Sequence, residues 1–338
     1  MTPMSDATSF AEIEAIIAAL PAFDEAAAEA ATARQNTLTK PPGSLGQLEE
    51  IAALIAGWRG TARPVIDTAQ AVVFAGNHGV CAQGVNPFPQ EVTVQMVANF
   101  EAGGAAINQL CRVAGADLSV VALELDRPTG DISTTVAMSE ADTVAAMVAG
   151  ARAVDPNADI LLLGEMGIGN STIAAAMAMA CFGGEAADWV GRGTGSDAHG
   201  IAHKAEVVAR AVDLHKDTAG LARLAAVGGR EQAAICGAVL AARQARVPVL
   251  IDGYICTAAV APLFAMDAGT LDHCLIGHTS AEPGHRKILT AMGKSAVLDF
   301  RMALGEGSGA ALALNIVRAA LECHNGMATF AEAGVSDA

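Results

Sequence analysis

Basic residues are scarce in this chain. Of 338 residues only 20 are Lys or Arg, against 36 Asp or Glu, giving a net charge of −16. Nucleic acids and anionic membranes are poor partners for such a surface, and an anionic ligand would need a local cationic or backbone N–H site. Aromatic residues make up only 4%, so the core has to be built from Ala, Val, Ile and Leu. The 7 cysteines (Cys81, Cys111, Cys181, Cys236, Cys256, Cys274 and Cys323) are odd in number and contain no Cys-x-x-Cys pair. That argues against a disulfide framework and fits reduced thiols in a cytoplasmic protein. No charge-free apolar run reaches the ~18 residues of a membrane span. Residues 247–266 come nearest, but Pro248, Asp252 and Pro262 interrupt them, so they are expected to be buried core. The first 20 residues carry Asp6, Glu12 and Glu14 with no basic start, unlike a secretory signal.

What is abundant is glycine, 35 residues, within a chain that is 52% hydrophobic. Ser9-x-x-Glu12 reads as a capping box before a first helix that Pro21 ends. An alanine-rich helix is expected up to about Gln35, and Ser44-x-x-Gln47 is expected to cap a third through Trp58. Further on, short β-branched apolar runs each end in a polar or glycine-rich turn. Strands are expected at residues 71–76, 119–123, 160–164, 224–228, 247–251 and 274–277, with helical segments between most of them. This alternation is the pattern of parallel βαβ units. The reading is an α/β protein: a Rossmann-like parallel-sheet core over residues 61–299 with helices on both faces. Residues 1–60 and 300–338 would form a smaller helical domain.

Ligands of such sheets bind outside the carboxyl ends of the strands. That rule places Asn77, His78, Glu165, Gly169, Asn170, Arg230, Asp252 and Ser280 on one side of the molecule. Gly164-Glu-Met-Gly-Ile-Gly-Asn-Ser-Thr172 leads into a helix and suits an anion at its N-terminus, or a plain strand-to-helix turn. It has neither the lysine of a Walker loop nor the spacing of a dinucleotide fingerprint. Gly191-Arg-Gly-Thr-Gly195 and Val227-Gly-Gly-Arg-Glu231 are further glycine clusters, each able to wrap a ribose phosphate or to be a plain loop. Glu306 stands between two glycines before a helix, where the macrodipole favours an ionised, accessible carboxylate. From the residues alone it is a helix-end charge as readily as a general base. His199 and His203 have i,i+4 spacing, but a polar helix face accounts for them and no metal site is expected. His78 and His285 lie in loops, able either to bind a ligand or to stabilise turns. Arg286 and Lys287 read as solvent-facing. A Gly-x-Ser-x-Gly nucleophile elbow is absent from any strand-to-helix turn.

Taken in order, eight motifs resemble the nicotinate-nucleotide–dimethylbenzimidazole phosphoribosyltransferase family, which serves cobalamin lower-ligand synthesis. They are Thr39-Lys-Pro-Pro-Gly-Ser-Leu-Gly46, Phe74-Ala-Gly-Asn-His-Gly-Val80, Pro89-Gln-Glu-Val-Thr93, the loop from Gly164 to Thr172, Gly191–Gly195, Gly229-Arg-Glu-Gln232, His278-Thr-Ser-Ala-Glu-Pro-Gly-His285 and Leu304-Gly-Glu-Gly-Ser-Gly-Ala310. The resemblance implies transfer of phosphoribose from nicotinate mononucleotide to 5,6-dimethylbenzimidazole by a cytoplasmic homodimer that needs no cofactor. It implies Glu306 as the base. It implies nucleotide and phosphate contacts by Glu165, Gly167, Gly169, Asn170, Ser171, Gly193, Lys204 and Ser280. His78, Gln90, Met166 and Leu304 would line the base pocket. Asn77 is not expected to be catalytic, because some relatives carry Asp there. Competing readings are a binding module that senses or carries the nucleotide or base without turnover, and a purine- or pyrimidine-directed phosphoribosyltransferase. The latter usually needs magnesium held by paired carboxylates after a strand, a pair not found here. A dinucleotide-binding dehydrogenase ranks behind both.

Overall fold

Apolar runs buried at nearly every residue build the centre of the sheet. β1 (Ala69–Ala75), β2 (Ala116–Ala122), β3 (Ile160–Met166), β4 (Val249–Ile251), β5 (Cys274–His278) and β6 (Ala296–Leu298) pair side by side, all parallel, in the order β2-β1-β3-β4-β5-β6. This computed structural model describes residues 2–336; Met1, Asp337 and Ala338, the outermost positions of the expected helical domain, lie outside the described residues. Among the described residues fifteen α-helices accompany the strands: α1 (Phe10–Ala18), α2 (Glu25–Gln35), α3 (Gln47–Arg59), α4 (Val92–Glu101), α5 (Ala106–Ala114), α6 (Glu140–Arg152), α7 (Asn170–Phe182), α8 (Ala198–Leu214), α9 (Gly220–Val227), α10 (Arg230–Gln244), α11 (Tyr254–Ala259), α12 (Ala261–Met266), α13 (Pro283–Met292), α14 (Ser308–Gly326) and α15 (Phe330–Ala333). None of these helices is long and apolar enough to cross a membrane.

Both faces of the sheet are covered, as an all-parallel sheet requires. Val72, Phe74, Leu161, Leu163, Val249 and Ile251 join one apolar cluster with residues of α6, α7 and α10. Their neighbours Ala71, Val73, Ile160, Leu162 and Leu250 join another with α3, α5 and α14. The period of two thus divides each central strand between two cores. The α/β class, the parallel sheet and the helices on both faces are as the sequence indicates.

Three local expectations change. Residues 224–228 are the end of α9, not a strand. Leu221 and Leu224 are three apart and both buried, which is helical spacing, and the segment is alanine-rich. Ser44 does not cap α3; Gly46 holds that position with φ 54° and no side-chain cap. Glu49 does the tying instead, accepting from Leu45 N at 2.9 Å and pairing with Lys40 at 2.8 Å. Finally, β6 has only three residues, too short to leave a periodic signal.

The strand order places the site. β1 lies between β2 and β3, so successive connections leave in opposite directions there. Ligands of open parallel sheets bind in the crevice this opens at the strand C-termini. The β1 and β3 loops border it. α14 closes over the same end because β3 and β5 carry glycines beneath it. A Cβ at Gly164 would lie 2.6 Å from the Glu306 carbonyl carbon, and one at Gly277 would lie 2.8 Å from Ala310 Cα.

Candidate active site

Glu306 occupies the turn that enters α14. It has φ 63°, a left-handed value rare for residues other than glycine, between Gly305 at 81° and Gly307 at 83°. A side chain there costs about 1–2 kcal/mol, so the surrounding contacts must hold it. The flanking glycines do not expose it, contrary to the sequence reading: only 8% of Glu306 is accessible. Burial, followed by the neighbouring charge of Asp252, raises its carboxyl from 4.5 to about 7. Desolvation is the larger of these two effects.

Around it stand further acidic side chains. Glu165, at the end of β3, is buried, and Asn170 Nδ2 donates to its Oε2. Burial and the charges of Asp252, Glu231 and Glu306 push the Glu165 carboxyl well above its ordinary range. A Cβ at Gly305 would come 2.5 Å from Glu165 Oε1, which places the two carboxylate-bearing loops in direct contact. Beneath them His78 Nε2 lies 3.1 Å from Glu231 Oε1, both side chains fully buried. Gly76 and Gly167 leave room for this pair: a Cβ at either would approach Glu231 Oε2 to 2.6 Å or His78 Nε2 to 2.9 Å. Gln90 donates from Nε2 to the His78 carbonyl at 2.8 Å, fixing the loop after β1. Met166 is half-buried at the end of β3, and Leu304 is exposed beside the Glu306 turn.

A second group gathers at the N-terminus of α7. Gly169 takes the cap position with φ 93°, leaving the first N–H groups of the helix without a side-chain cap. Asn170 N and Thr172 N donate to the carbonyls of Gly167 at 3.1 Å and Gly169 at 3.0 Å, so Ser171 N is the first-turn amide left to face an anion. Gly193 lies against Ser171 and Lys204: a Cβ on it would sit 2.8 Å from Ser171 Oγ and 3.0 Å from Lys204 Nζ. Lys204, on α8, is 2% exposed, and burial lowers its ammonium from the ordinary value. Gly193 N donates to Glu282 Oε1 at 2.9 Å, and Glu282 N donates to Ser280 Oγ at 3.2 Å. The glycine loop and the loop after β5 are thereby joined around one ammonium group, one helix terminus and two hydroxyls. Asn170 links this group to the carboxylates.

Other candidates fall outside. Arg230 donates from Nη1 to the Arg127 carbonyl at 2.7 Å and pairs with Glu124 at 3.2 Å. Asn77 donates to the Leu125 carbonyl at 2.8 Å. His203 Nε2 lies 2.6 Å from the Gln83 carbonyl, which ties it to backbone rather than to His199. His285 settles as a turn stabiliser, its Nδ1 accepting from Ser280 N at 2.7 Å. Arg286 and Lys287 are exposed, paired with Asp299 and Asp188. Sequence reasoning gave no role to Glu231, Asp252, His278 or Glu282. Asp252, His278 and Glu282 lie in or beside a strand-end motif, so position pointed to them, whereas Glu231 lies in the first turn of α10 after a helix; the partners of all four are distant in sequence.

Loops that meet at the strand C-termini around an ammonium group and a helix terminus, beside a buried carboxylate on a parallel sheet, suit transfer of a phosphorylated sugar. The chain belongs to the family described as Phosphoribosyltransferase, whose model matches residues 20–335. It is 65% identical to the nicotinate-nucleotide–dimethylbenzimidazole phosphoribosyltransferase of Rhodobacter capsulatus over 98% of this chain and 100% of that one. It is 58% identical to the enzyme of the same name from Ruegeria pomeroyi over 98% of each. Among solved structures, CobT from Thermus thermophilus superposes with a TM-score of 0.86 at 40% identity, covering 93% of this chain and 100% of that one.

Proposed function

We propose that this chain transfers the phosphoribosyl group of nicotinate mononucleotide to 5,6-dimethylbenzimidazole, giving α-ribazole 5′-phosphate and nicotinate in cobalamin assembly. The observation that carries the reading is Glu306, a buried carboxylate with its proton affinity raised to about 7, held beside the anion-suited loops. In the reaction one benzimidazole nitrogen attacks C1′ as the C1′–N bond to nicotinate breaks. The bonding pair returns to a pyridinium nitrogen, so the leaving group departs neutral at that atom and needs no acid. Attack from the opposite face turns a β-nucleotide into an α-product. The attacking ring becomes cationic and gives its other N–H proton to Glu306. A positioned base of this kind contributes about 10²–10⁴-fold, and alignment of the two rings across C1′ supplies much of the rest.

Lys204, Ser171, Gly193, Ser280 and the N-terminus of α7 are assigned to the 5′-phosphate, with Glu165, Gly167, Gly169 and Asn170 against the nucleotide. His78, Gln90, Met166 and Leu304 are assigned to the base pocket; buried His78 would act there through the backbone that Gln90 fixes. The acting species is taken as a homodimer, for which sedimentation at twice the 34.0 kDa chain mass is expected and monomer mass would contradict it. The test of the reaction incubates the protein with both substrates and follows products by mass. Wild type is expected to release nicotinate and form the α-ribotide. Glu306→Gln is expected to bind both substrates and lose about 10²–10⁴-fold in kcat. Near-normal turnover in that variant would remove Glu306 from the chemistry, and tight binding without nicotinate release by wild type would favour a carrier.

A further inference from the structure

Glu306 sits in a backbone conformation it does not favour, and Gly307, in the cap position of α14, has no side chain with which to cap that helix. The missing cap comes from another strand. We propose that Asp252, wedged by His278, is the positioning residue for Glu306; this rests on the reading of Glu306 as the base.

Asp252 follows β4 and is fully buried. Its carboxylate is committed to the backbone of the Glu306 turn: Oδ2 accepts from Gly307 N at 3.1 Å and Oδ1 from Ala310 N at 2.9 Å. Gly307 directly follows Glu306, and Ala310 lies in the first turn of α14. One side chain therefore fixes both the peptide that carries the base and the helix that follows it. His278 Nε2 lies 3.6 Å from Asp252 Oδ1. Its ring fills the gap between the turn after β4 and the first turn of α14. A Cβ at Gly253 would lie 2.5 Å from its Nε2, and one at Gly309 would overlap its Cδ2. Only glycine at both positions lets the imidazole sit there.

The same carboxylate also acts on Glu306 through space. After burial, the charge of Asp252 is what raises the Glu306 carboxyl. Other titratable groups turned toward this corner are Glu165 from β3, Glu231 from α10, Cys256 from α11 and His278 from β5, with His285 from α13 behind His278. Burial raises the Asp252 carboxyl as well, while His278 and the backbone amides of α14 favour its anion. The clamp thus sets where the base stands and how strongly it holds a proton.

Asp252→Asn keeps the size of the side chain and one accepting oxygen, but sets an amide NH₂ against one of the two backbone N–H groups. The variant is expected to lose about 10²-fold in kcat, the scale of a misplaced catalytic group, with KM for the nucleotide near wild type. The acid limb of its pH profile should move to lower pH. In a Glu306→Gln background the same change should have little effect, because the carboxylate it positions is gone. Equal fold losses in the two backgrounds would overturn the assignment. Infrared difference titration of the Glu306 carboxyl, wild type minus Glu306→Gln, reads the clamp without turnover. Its midpoint should fall in Asp252→Asn, and an unmoved midpoint would overturn the proposal. A midpoint that falls in a protein whose wild type transfers nothing would keep the clamp and discard the base. If Asp252→Asn does not fold, His278→Gln serves: a smaller kcat loss confined to the Glu306-containing background is expected, and equal losses in both would overturn the clamp.

Discussion

A base works best when its proton affinity approaches the working pH. Burial moves Glu306 in that direction and Asp252 adds to it, raising the carboxyl to about 7. If the ionised carboxylate is the base, as proposed, kcat/KM is expected to climb about tenfold per pH unit and level off near pH 7, measured from about pH 5 to 9. A limb centred near 4.5, the ordinary value, would contradict the buried environment. Stability has the opposite sign. A carboxyl raised on folding means the folded state prefers the protonated form. Its contribution is full below the unfolded value of 4.5 and is lost as pH rises through about 7. Glu306→Gln, locked neutral, should therefore gain Tm relative to wild type on going from about pH 5 to 8, while losing turnover. A Tm difference that does not change with pH would show that Glu306 carries no desolvation penalty. Function and stability conflict at this residue, as the left-handed φ also indicates.

At the scale of elements, the proposed site depends on the close approach of the start of α14 to β3 and β5 on one face of the sheet. Gly164 permits this at β3, where any Cβ would meet the Glu306 backbone at 2.6 Å. Backbone cannot yield as a flexible side chain can. Gly164→Ala is expected to destabilise by about 1–3 kcal/mol, the usual cost of overpacking, and to lower kcat by displacing the Glu306 turn. Denaturant melts and steady-state rates check both; an unchanged melt would mean that α14 is free to shift. Much of this level was legible in sequence. Apolar runs ending at Gly76, Gly164 and Gly277 stop within two residues of the strand ends, and the segments after them hold most of the candidate residues. What sequence could not give was which side chains meet across strands. Asp252 reaches Gly307 and Ala310, 55 and 58 residues away, and no local pattern encodes that contact. The same limit explains the error at α9. Residues 224–228 end an apolar run at a glycine as the real strands do, and only their packing with the helix before them shows the period of 3.6. The burial of Glu306 has a related cause: glycine neighbours signal accessibility only where nothing packs over them, and here β3 and Ile107 of α5 do.

For the whole molecule, the charge balance and the site pull against each other. The chain carries −16, and its proposed nucleotide substrate is an anion. Long-range repulsion would slow their encounter, while the proposed attraction of Lys204 would act at short range from a 2%-exposed position. Salt discriminates between the two, because screening removes distant interactions first. The Debye length falls from about 30 Å at 0.01 M to about 8 Å at 0.15 M, so added salt hides the surface charge and leaves the buried contact mostly intact. KM for nicotinate mononucleotide is therefore expected to fall by a factor of about two over that range, while KM for the neutral benzimidazole stays flat. Lys204→Ala should raise the nucleotide KM at every salt concentration and preserve this slope, since it removes the local term and not the global field. A nucleotide KM that rises with salt in wild type but not in Lys204→Ala would mean the ammonium group dominates even the approach. The acidic surface would then have no bearing on substrate capture.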